Sequence, residues 1–362
     1  MISIIGFQTS VFAQGSLIPP GAPAPTMITL SQIQPRTPIT NSGAVTISAS
    51  GAYYLTTNIS VSSGTAVTIT ANNVTLDLNG FTISSTETPA TGSSGILLGG
   101  TGVGRTNIFF SNGFISSSGI TNNGTTTYGG NGFAYGIYSP ASLVNVHVSN
   151  VSISGCLTFG IYLSNTGTLV ESCTVNNVGN TGINADVITD SLATGCGQTG
   201  ISANTTASNC RGNSYASTAV ISGATAQNCY GISTAGFGVL ANNVQNCSGT
   251  STSNTGVFAG YNALNCSGTS TSGTGLIAAN AQNCYGSSSS ATASMAGISA
   301  AVANNCYGNN NGAGSGINTT LANNCYGYAN TGTGIIAHTG NSCFGTATSG
   351  TAVNFTKVYN GQ

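Results

Sequence analysis

Short apolar segments alternate with turn residues along almost the whole chain. In the first third, apolar and polar positions alternate with period two, as in residues 66–70 (AVTIT) and 74–78 (VTLDL), and Asn79-Gly80 then marks a turn. Period-two alternation predicts β-strands with one buried face, and no segment shows the period of a helix. The pattern therefore predicts an all-β protein.

The cysteines reveal an internal repeat. Six of the ten intervals between them are 18 or 19 residues, and the intervals of 23 and 14 around Cys196 together equal two repeats with one cysteine displaced. A period in this range is typical of solenoids, in which each coil buries its apolar face only against its neighbours. The cysteines are Cys156, Cys173, Cys196, Cys210, Cys229, Cys247, Cys266, Cys284, Cys306, Cys325 and Cys343.

The residues around each cysteine repeat as well. An aliphatic residue lies three positions earlier, and since strand faces alternate with period two, this spacing predicts a bend with both residues facing inward. We expect asparagine in the bend, because it tolerates the left-handed conformation and its amide can bond to stacked copies. A glycine turn and a Ser/Thr/Asn-rich loop should follow each cysteine. The predicted asparagine ladder is Asn228, Asn246, Asn265, Asn283, Asn305 and Asn324.

These features predict a right-handed parallel β-helix (β-solenoid) of about 16 short coils, most of them 18–19 residues long, stacked about 4.8 Å apart. We expect a signal peptide remnant at 1–13, a Pro-rich leader or N-terminal cap at 14–40, and the β-helix at 41–362. Within the β-helix, coils at 41–140 should be irregular and wider, and those at 141–355 regular and cysteine-containing. The apolar residues 2–12 and the small-x-small pattern at 11–13 indicate secretion, and no later segment is apolar enough to cross a membrane.

Several segments resemble a known family. Residues 15–27 (GSLIPPGAPAPTM) and 34–39 (QPRTPI) resemble the leader of secreted bacterial right-handed parallel β-helix repeat proteins. Residues 51–55 (GAYYL) and 73–81 (NVTLDLNGF) are similar to the first coils of that family, and Asn-Cys-Tyr-Gly coils occur in some members. The resemblance covers nearly the whole mature chain. It implies the fold and an extracellular or cell-surface location, but little about activity, because this fold carries unrelated functions.

Charge is scarce, which limits the possible chemistry. Four Lys and Arg cannot form a basic patch, so we expect no nucleic-acid partner. Glycoside hydrolysis needs two carboxylates at a defined separation. Alignment on the cysteines places Glu171 level with Thr194, away from the other carboxylates. Asp186, Asp190 and Arg211 lie within about two coils and are the one group that could serve a polysaccharide lyase or hydrolase. We expect them to be solvated turn residues and expect no catalytic residues.

The cysteines allow two interpretations. Stacked copies would have Cα atoms about 4.8 Å apart, a separation that permits disulfides. Parallel side chains and an odd number of cysteines favour a structural ladder of buried free thiols from Cys210 to Cys343. There is no Cys-x-x-Cys pair, and His147 and His338 are far apart in sequence, so we expect no metal site and no other cofactor.

Two surface rows are candidates for binding. The residue after each cysteine should face outward, which puts Tyr285, Tyr307, Tyr326 and Phe344 in a stripe on four successive coils. Such a stripe could stack on sugars or on another molecule, or its rings could stack on one another. Hydroxyls three and five residues after the cysteine, such as Thr250 and Thr252, could bind ice, and we expect them in a turn.

Three classes of function stay open at this point. We favour a secreted non-enzymatic structural or adhesive β-solenoid that self-associates into filaments at the cell surface. The alternatives are a carbohydrate-binding or polysaccharide-processing β-helix protein and, third, an ice-binding protein. The expected partners are other copies of the chain, end to end or laterally, or a cell-surface glycan. A formal net charge of −1 gives weak repulsion between copies.

Overall fold

The computed structural model describes residues 35–88, 90–99, 104–117, 121–122, 128–163 and 166–358. The expected signal peptide remnant and most of the Pro-rich leader lie outside these residues. Residues Thr37–Gln362 form one compact unit, and the fold is described for that unit. Among the described residues, no helix is long and apolar enough to span a membrane.

The described residues of this unit form β-strands and no helix. The strands are Thr37–Ile39, Val45–Ile47, Gly51–Leu55, Ile59–Val61, Val67–Ile69, Val74–Asp77, Thr82–Ser85, Ser94–Leu98, Arg105–Ser117, Thr121–Asn122, Tyr128–Gly129, Tyr135–Tyr138, Leu143–Ser154, Phe159–Tyr162, Thr168–Glu171, Thr174–Val178, Ile183–Thr189, Leu192–Cys196, Ile201–Ser208, Arg211–Ser214, Val220–Ser222, Thr225–Gln227, Tyr230–Ser233, Val239–Gln245, Ser248–Ser251, Val257–Leu264, Ser267–Ser270, Leu276–Gln282, Tyr285–Ser288, Ala296–Asn304, Tyr307–Asn310, Ser315–Asn323, Tyr326–Ala329, Thr333–Asn341, Phe344–Ala347 and Thr351–Val358.

Almost all of these strands pair in parallel with their counterparts in neighbouring coils, which makes an all-β parallel β-solenoid of about 16 turns. Each regular coil contributes three short segments, which stack into three sheets. Sheet 1 ends at the corner asparagine (Asn243–Gln245 in one coil), sheet 2 begins after the cysteine (Ser248–Ser251), and sheet 3 follows the next loop (Val257–Ala259). Short strands at Thr121–Asn122 and Tyr128–Gly129 form a separate antiparallel pair.

Coil length changes along the solenoid. Asn107 donates a hydrogen bond to Asn73, 34 residues earlier, and Asn145 donates one to Asn107, 38 residues earlier. From Asn209 onward, side-chain bonds between asparagines of successive coils span 18, 19 or 22 residues. Large side chains such as Phe110 and Phe133 are fully buried in the wide coils, whereas small residues such as Ala226 and Cys229 fill the narrow ones.

From Cys210 to Cys343, the glycine two residues after each cysteine lies in a strand of sheet 2, so the predicted glycine turn is wrong. Gly286, in strand Tyr285–Ser288, is buried and pairs with Gly268 and Gly308 in the adjacent coils. A Cβ atom at Gly286 would lie 2.1 Å from the carbonyl oxygen of Gly297, in the following strand of sheet 3. Glycine is needed here because the backbones of sheets 2 and 3 approach each other closely across the narrow core.

Candidate functional site

A row of left-handed residues forms the corner between sheets 1 and 2. Their φ angles lie between 49° and 61°, a region that Asn and Asp enter more readily than other non-glycine residues. The conformation turns the chain sharply, so that the apolar residue two positions before the corner and the cysteine after it, such as Val244 and Cys247, are both buried in the core. The row consists of Asn79, Asn112, Asn150, Ser172, Asp190, Asn209, Asn228, Asn246, Asn265, Asn283, Asn305, Asn324 and Ser342.

Side chains of this row form a continuous amide ladder from Asn324 down to Asp190. Each Asn donates its Nδ2–H to the Oδ1 of the corner residue in the preceding coil, over distances of 2.8 to 3.3 Å. The last donor is Asn209, and the last acceptor is the carboxylate of Asp190. The predicted asparagine positions therefore all lie in one hydrogen-bonded column on the surface.

The cysteine row runs directly beneath the amide ladder. Cys210 to Cys325 are buried free thiols, and Cys343 is partly exposed. Each Sγ from Cys210 to Cys325 lies 3.1 to 3.5 Å from two backbone carbonyl oxygens, either of which can accept its single S–H. The cysteines of this row therefore act as small core residues whose S–H groups are hydrogen-bonded.

The displaced Cys196 belongs to a different row. Ser191 fills its place beside the corner, where its hydroxyl accepts a hydrogen bond from the Cys173 N–H at 3.1 Å. Cys196 instead pairs with Val178 and Ser214 at the far end of sheet 2. Burial raises the pKa of the Cys196 thiol to about 12, and the same cause raises that of Cys173 to about 12. Neither is a thiolate near neutral pH, so neither is a reactive nucleophile.

The aromatic stripe forms a stack. The ring centroids of Tyr285 and Tyr307 are 5.4 Å apart, those of Tyr307 and Tyr326 are 5.0 Å apart, and those of Tyr326 and Phe344 are 5.5 Å apart. Interplanar angles of 8° to 27° mean that ring faces cover each other. Tyr285, Tyr307 and Phe344 remain 38%, 40% and 61% exposed. The stack therefore presents ring edges to solvent, and a ring face is open only at its ends.

A shallow groove lies between the aromatic stack and the amide ladder, and we call it the axial groove. Its volume is about 520 Å³, and it runs along four coils. The amide ladder forms one wall, the rings form the other, and the cysteine row forms the floor. Its lining residues are Asn283, Cys284, Tyr285, Asn305, Cys306, Tyr307, Asn324, Cys325, Tyr326, Ser342 and Phe344.

The three residues weighed as a catalytic group lie in different surroundings. Asp186 Oδ2 accepts the Gly167 N–H at 3.0 Å, and Asp190 is the terminal acceptor of the amide ladder. They flank opposite ends of residues 187–189, the part of strand Ile183–Thr189 that pairs in sheet 1. Arg211 lies in sheet 2 with its guanidinium 5.3 Å from the Tyr230 ring centroid. The structure gives each residue a separate contact.

One contact between ionisable residues was not predicted from the sequence. His147 Nε2 lies 3.0 Å from Glu171 Oε1, and the imidazole packs edge-on against Phe109 with centroids 4.8 Å apart. The expected register, with Glu171 beside Thr194 of the next coil, is wrong, because sheet 1 pairs Glu171 with Thr189. Among the described residues, no group of three or more His, Cys, Asp or Glu side chains could hold a metal ion.

A second aromatic cluster on sheet 3 was also missed. Tyr135 and Tyr138 stack at 4.3 Å, Phe159 and Tyr162 lie 4.5 Å apart in the next coil, and both cross-coil centroid distances are 5.9 Å. The sequence held a signal for it, since residues 135–138 (YGIY) and 159–162 (FGIY) repeat the same motif. The four rings cover one patch of the sheet 3 surface.

The hydroxyl row divides between two environments. Thr250, Thr269 and Ser287, three residues after their cysteines, pair with one another in sheet 2 rather than lying in a turn. Thr252 lies in the loop that follows. The next residues along the sheet 2 column are Asn309 and Tyr328, so the hydroxyl row is interrupted after three coils and continues only at Thr346.

The molecule is a β-solenoid protein with few charged residues. Its repeating features are the corner row, the buried thiols and the stacked rings. Comparison with protein families gives no match, and none of the curated proteins matches either. Among solved structures, the chain is similar to the Dettilon tailspike protein (gp208), with 13% identity and a TM-score of 0.25. The similarity covers 88% of this chain and 61% of the tailspike chain.

Proposed function

We propose that this chain is a secreted, non-enzymatic structural or adhesive β-solenoid of the bacterial right-handed parallel β-helix repeat type that its sequence resembles. One observation carries the proposal: every carboxylate in the sequence contacts a group that holds adjacent parts of the solenoid together. A hydrolase or lyase would instead need carboxylates converging on a substrate. The five are Asp77, Glu87, Glu171, Asp186 and Asp190.

The carboxylates of the first coils stabilise turns. Asp77 Oδ1 accepts hydrogen bonds from the Asn79 N–H at 2.8 Å and from Asn112 Nδ2 at 3.3 Å in the next coil. Glu87 accepts bonds from the Ser93 hydroxyl and from the Gly64 N–H of another coil. Burial raises the pKa of Glu87, but these hydrogen bonds outweigh it and hold the pKa below its usual value. Both acids therefore act as hydrogen-bond acceptors within the framework.

The remaining carboxylates connect one coil to the next. Glu171 contacts His147, Asp186 fixes the Gly167 backbone, and Asp190 ends the amide ladder. All five carboxylates lie in the first and middle coils, where each contacts a neighbouring part of the solenoid.

Self-association at the cell surface is part of the proposal. With a formal net charge of −1, copies repel each other weakly, and the sparsely charged sheets can approach laterally. The chain therefore acts as a passive scaffold, and contact with other copies or with a surface glycan is its activity.

A turnover screen tests the proposal. The purified chain is incubated with pectate, alginate, xylan and β-glucan, and reducing ends and unsaturated products are measured. We expect no product above the level of a heat-treated control, because each of the five carboxylates already contacts a group of the solenoid framework. Turnover that disappears in Asp186→Asn or Asp190→Asn would contradict the proposal and make the chain a polysaccharide-processing enzyme.

A further inference from the structure

We infer that the axial groove binds a linear, uncharged polysaccharide that lies along the solenoid axis. The inference rests on the adhesive role proposed above and names its ligand class and its surface. Three properties of the groove support it: its repeated hydrogen-bonding groups, its rigid aromatic wall and its lack of charge.

The amide wall offers a regular row of donors and acceptors. A carboxamide has two N–H groups and an oxygen with two lone pairs. The ladder uses one N–H and one lone pair of Asn305, whose Nδ2 donates to Asn283 and whose Oδ1 accepts from Asn324. One N–H and one lone pair of this exposed amide remain for a ligand, and the pattern recurs once per coil. A polymer of hydroxylated units, which both donate and accept, complements such a row.

The aromatic wall is already ordered before a ligand arrives. Tyr307 is stacked on both sides, and the Tyr326 hydroxyl lies 3.2 Å from the Thr346 hydroxyl in the next coil. Because the ring faces are covered, sugars would contact ring edges along the stack and the open face of Phe344, which is 61% exposed. A rigid wall lowers the entropy lost when the ligand binds. The stack thus favours an extended ligand over an isolated sugar.

The charge of the groove selects against acidic polymers. None of its lining residues is Asp, Glu, Lys, Arg or His, and the chain carries only four Lys and Arg in total. A uronate polymer would lose hydration in the groove without gaining an ion pair. A neutral polymer loses less hydration free energy in the groove and gains the same hydrogen bonds. We therefore expect the groove to bind neutral polysaccharides more tightly than acidic ones.

Affinity electrophoresis of the full chain tests this inference, with hydroxyethyl cellulose and glucomannan as neutral probes and alginate and polygalacturonate as acidic ones. We expect a neutral probe to retard the chain, and the acidic probes to leave its mobility unchanged. Tyr307→Ala and Asn305→Asp should each weaken retardation at least tenfold. Asp190 already occupies the same corner conformation with φ of 49°, so aspartate at position 305 is compatible with the fold.

Tyr261→Ala is the matched control, because Tyr261 is 60% exposed and does not line the groove. It should bind as the unmodified chain does, and circular dichroism should show all variants folded. The inference is overturned if folded chain is not retarded by either neutral probe, if acidic probes bind equally well, or if Tyr261→Ala weakens binding as much as Tyr307→Ala. These results would leave the non-enzymatic role intact, since only turnover contradicts that role.

Discussion

Gly286→Ala is expected to prevent the solenoid from folding stably around that coil. The added methyl group would lie 2.1 Å from the Gly297 carbonyl oxygen and 2.5 Å from Ile298 Cγ1, far inside van der Waals contact. The Gly297 backbone is held in the sheet on both sides and cannot move away without breaking parallel pairing. We expect a loss of about 3 kcal/mol or more in the free energy of unfolding, at the upper end of overpacking effects.

Gly92→Ala is the matched control for this substitution. A Cβ atom at Gly92 meets nothing within 4 Å, so this variant should unfold within about 0.5 kcal/mol of the unmodified chain. Urea unfolding followed by circular dichroism measures both variants. If Gly286→Ala unfolds at the same urea concentration as Gly92→Ala, sheets 2 and 3 are not packed backbone to backbone as described.

Asn265→Val is expected to have the second largest effect. Asn265 has a φ of 53°, donates to Asn246 at 3.1 Å and accepts from Asn283 at 3.1 Å. A β-branched residue is strained in this region, and both ladder bonds are lost, which together should cost about 2–3 kcal/mol. The strain should also disturb the stacking of the neighbouring coils.

Asn265→Gly separates the two causes. Glycine adopts positive φ without strain, so only the two exposed hydrogen bonds and some backbone entropy are lost, at a cost of about 1 kcal/mol. The urea midpoints of the two variants should therefore differ clearly, with the valine variant the less stable. Equal midpoints would mean that the left-handed corner contributes nothing of its own.

The regular part of the fold was readable from sequence because the repeat and the local chemistry agree. The spacing of three between an aliphatic residue and a cysteine required a bend, and Asn228 and its equivalents stand where a left-handed residue is needed. Stacking of identical coils then followed from the period alone. The predicted all-β solenoid of about 16 turns is confirmed.

Contacts that depend on strand register between irregular coils could not be predicted from the sequence. The interval around Cys196 showed that one cysteine was displaced, but not that Ser191 fills the vacant position. Contact between Phe109 and His147 crosses a coil of 38 residues, whose pairing no repeat reveals. The glycine after each cysteine was assigned to a turn because composition cannot distinguish a turn from a close backbone approach.

The surface rows were only half determined by sequence. Period-two alternation placed Tyr285 and Tyr307 outward, but whether their rings face solvent or each other depends on side-chain rotation. Because the rings stack on one another, their edges and not their faces line the axial groove. A sugar in the groove is therefore expected to contact ring edges and the asparagine amides.

The most direct test of the structural role of the carboxylates is the stability of Asp190 variants. Asp190→Asn keeps a side-chain oxygen that accepts from Asn209 and a residue suited to φ of 49°, so its unfolding free energy should stay within about 0.5 kcal/mol of the unmodified chain. Asp190→Ala loses both and should be less stable by about 1–2 kcal/mol. If Asp190→Ala is instead as stable as the unmodified chain or more stable, as is typical when a catalytic carboxylate is removed, the structural account is contradicted.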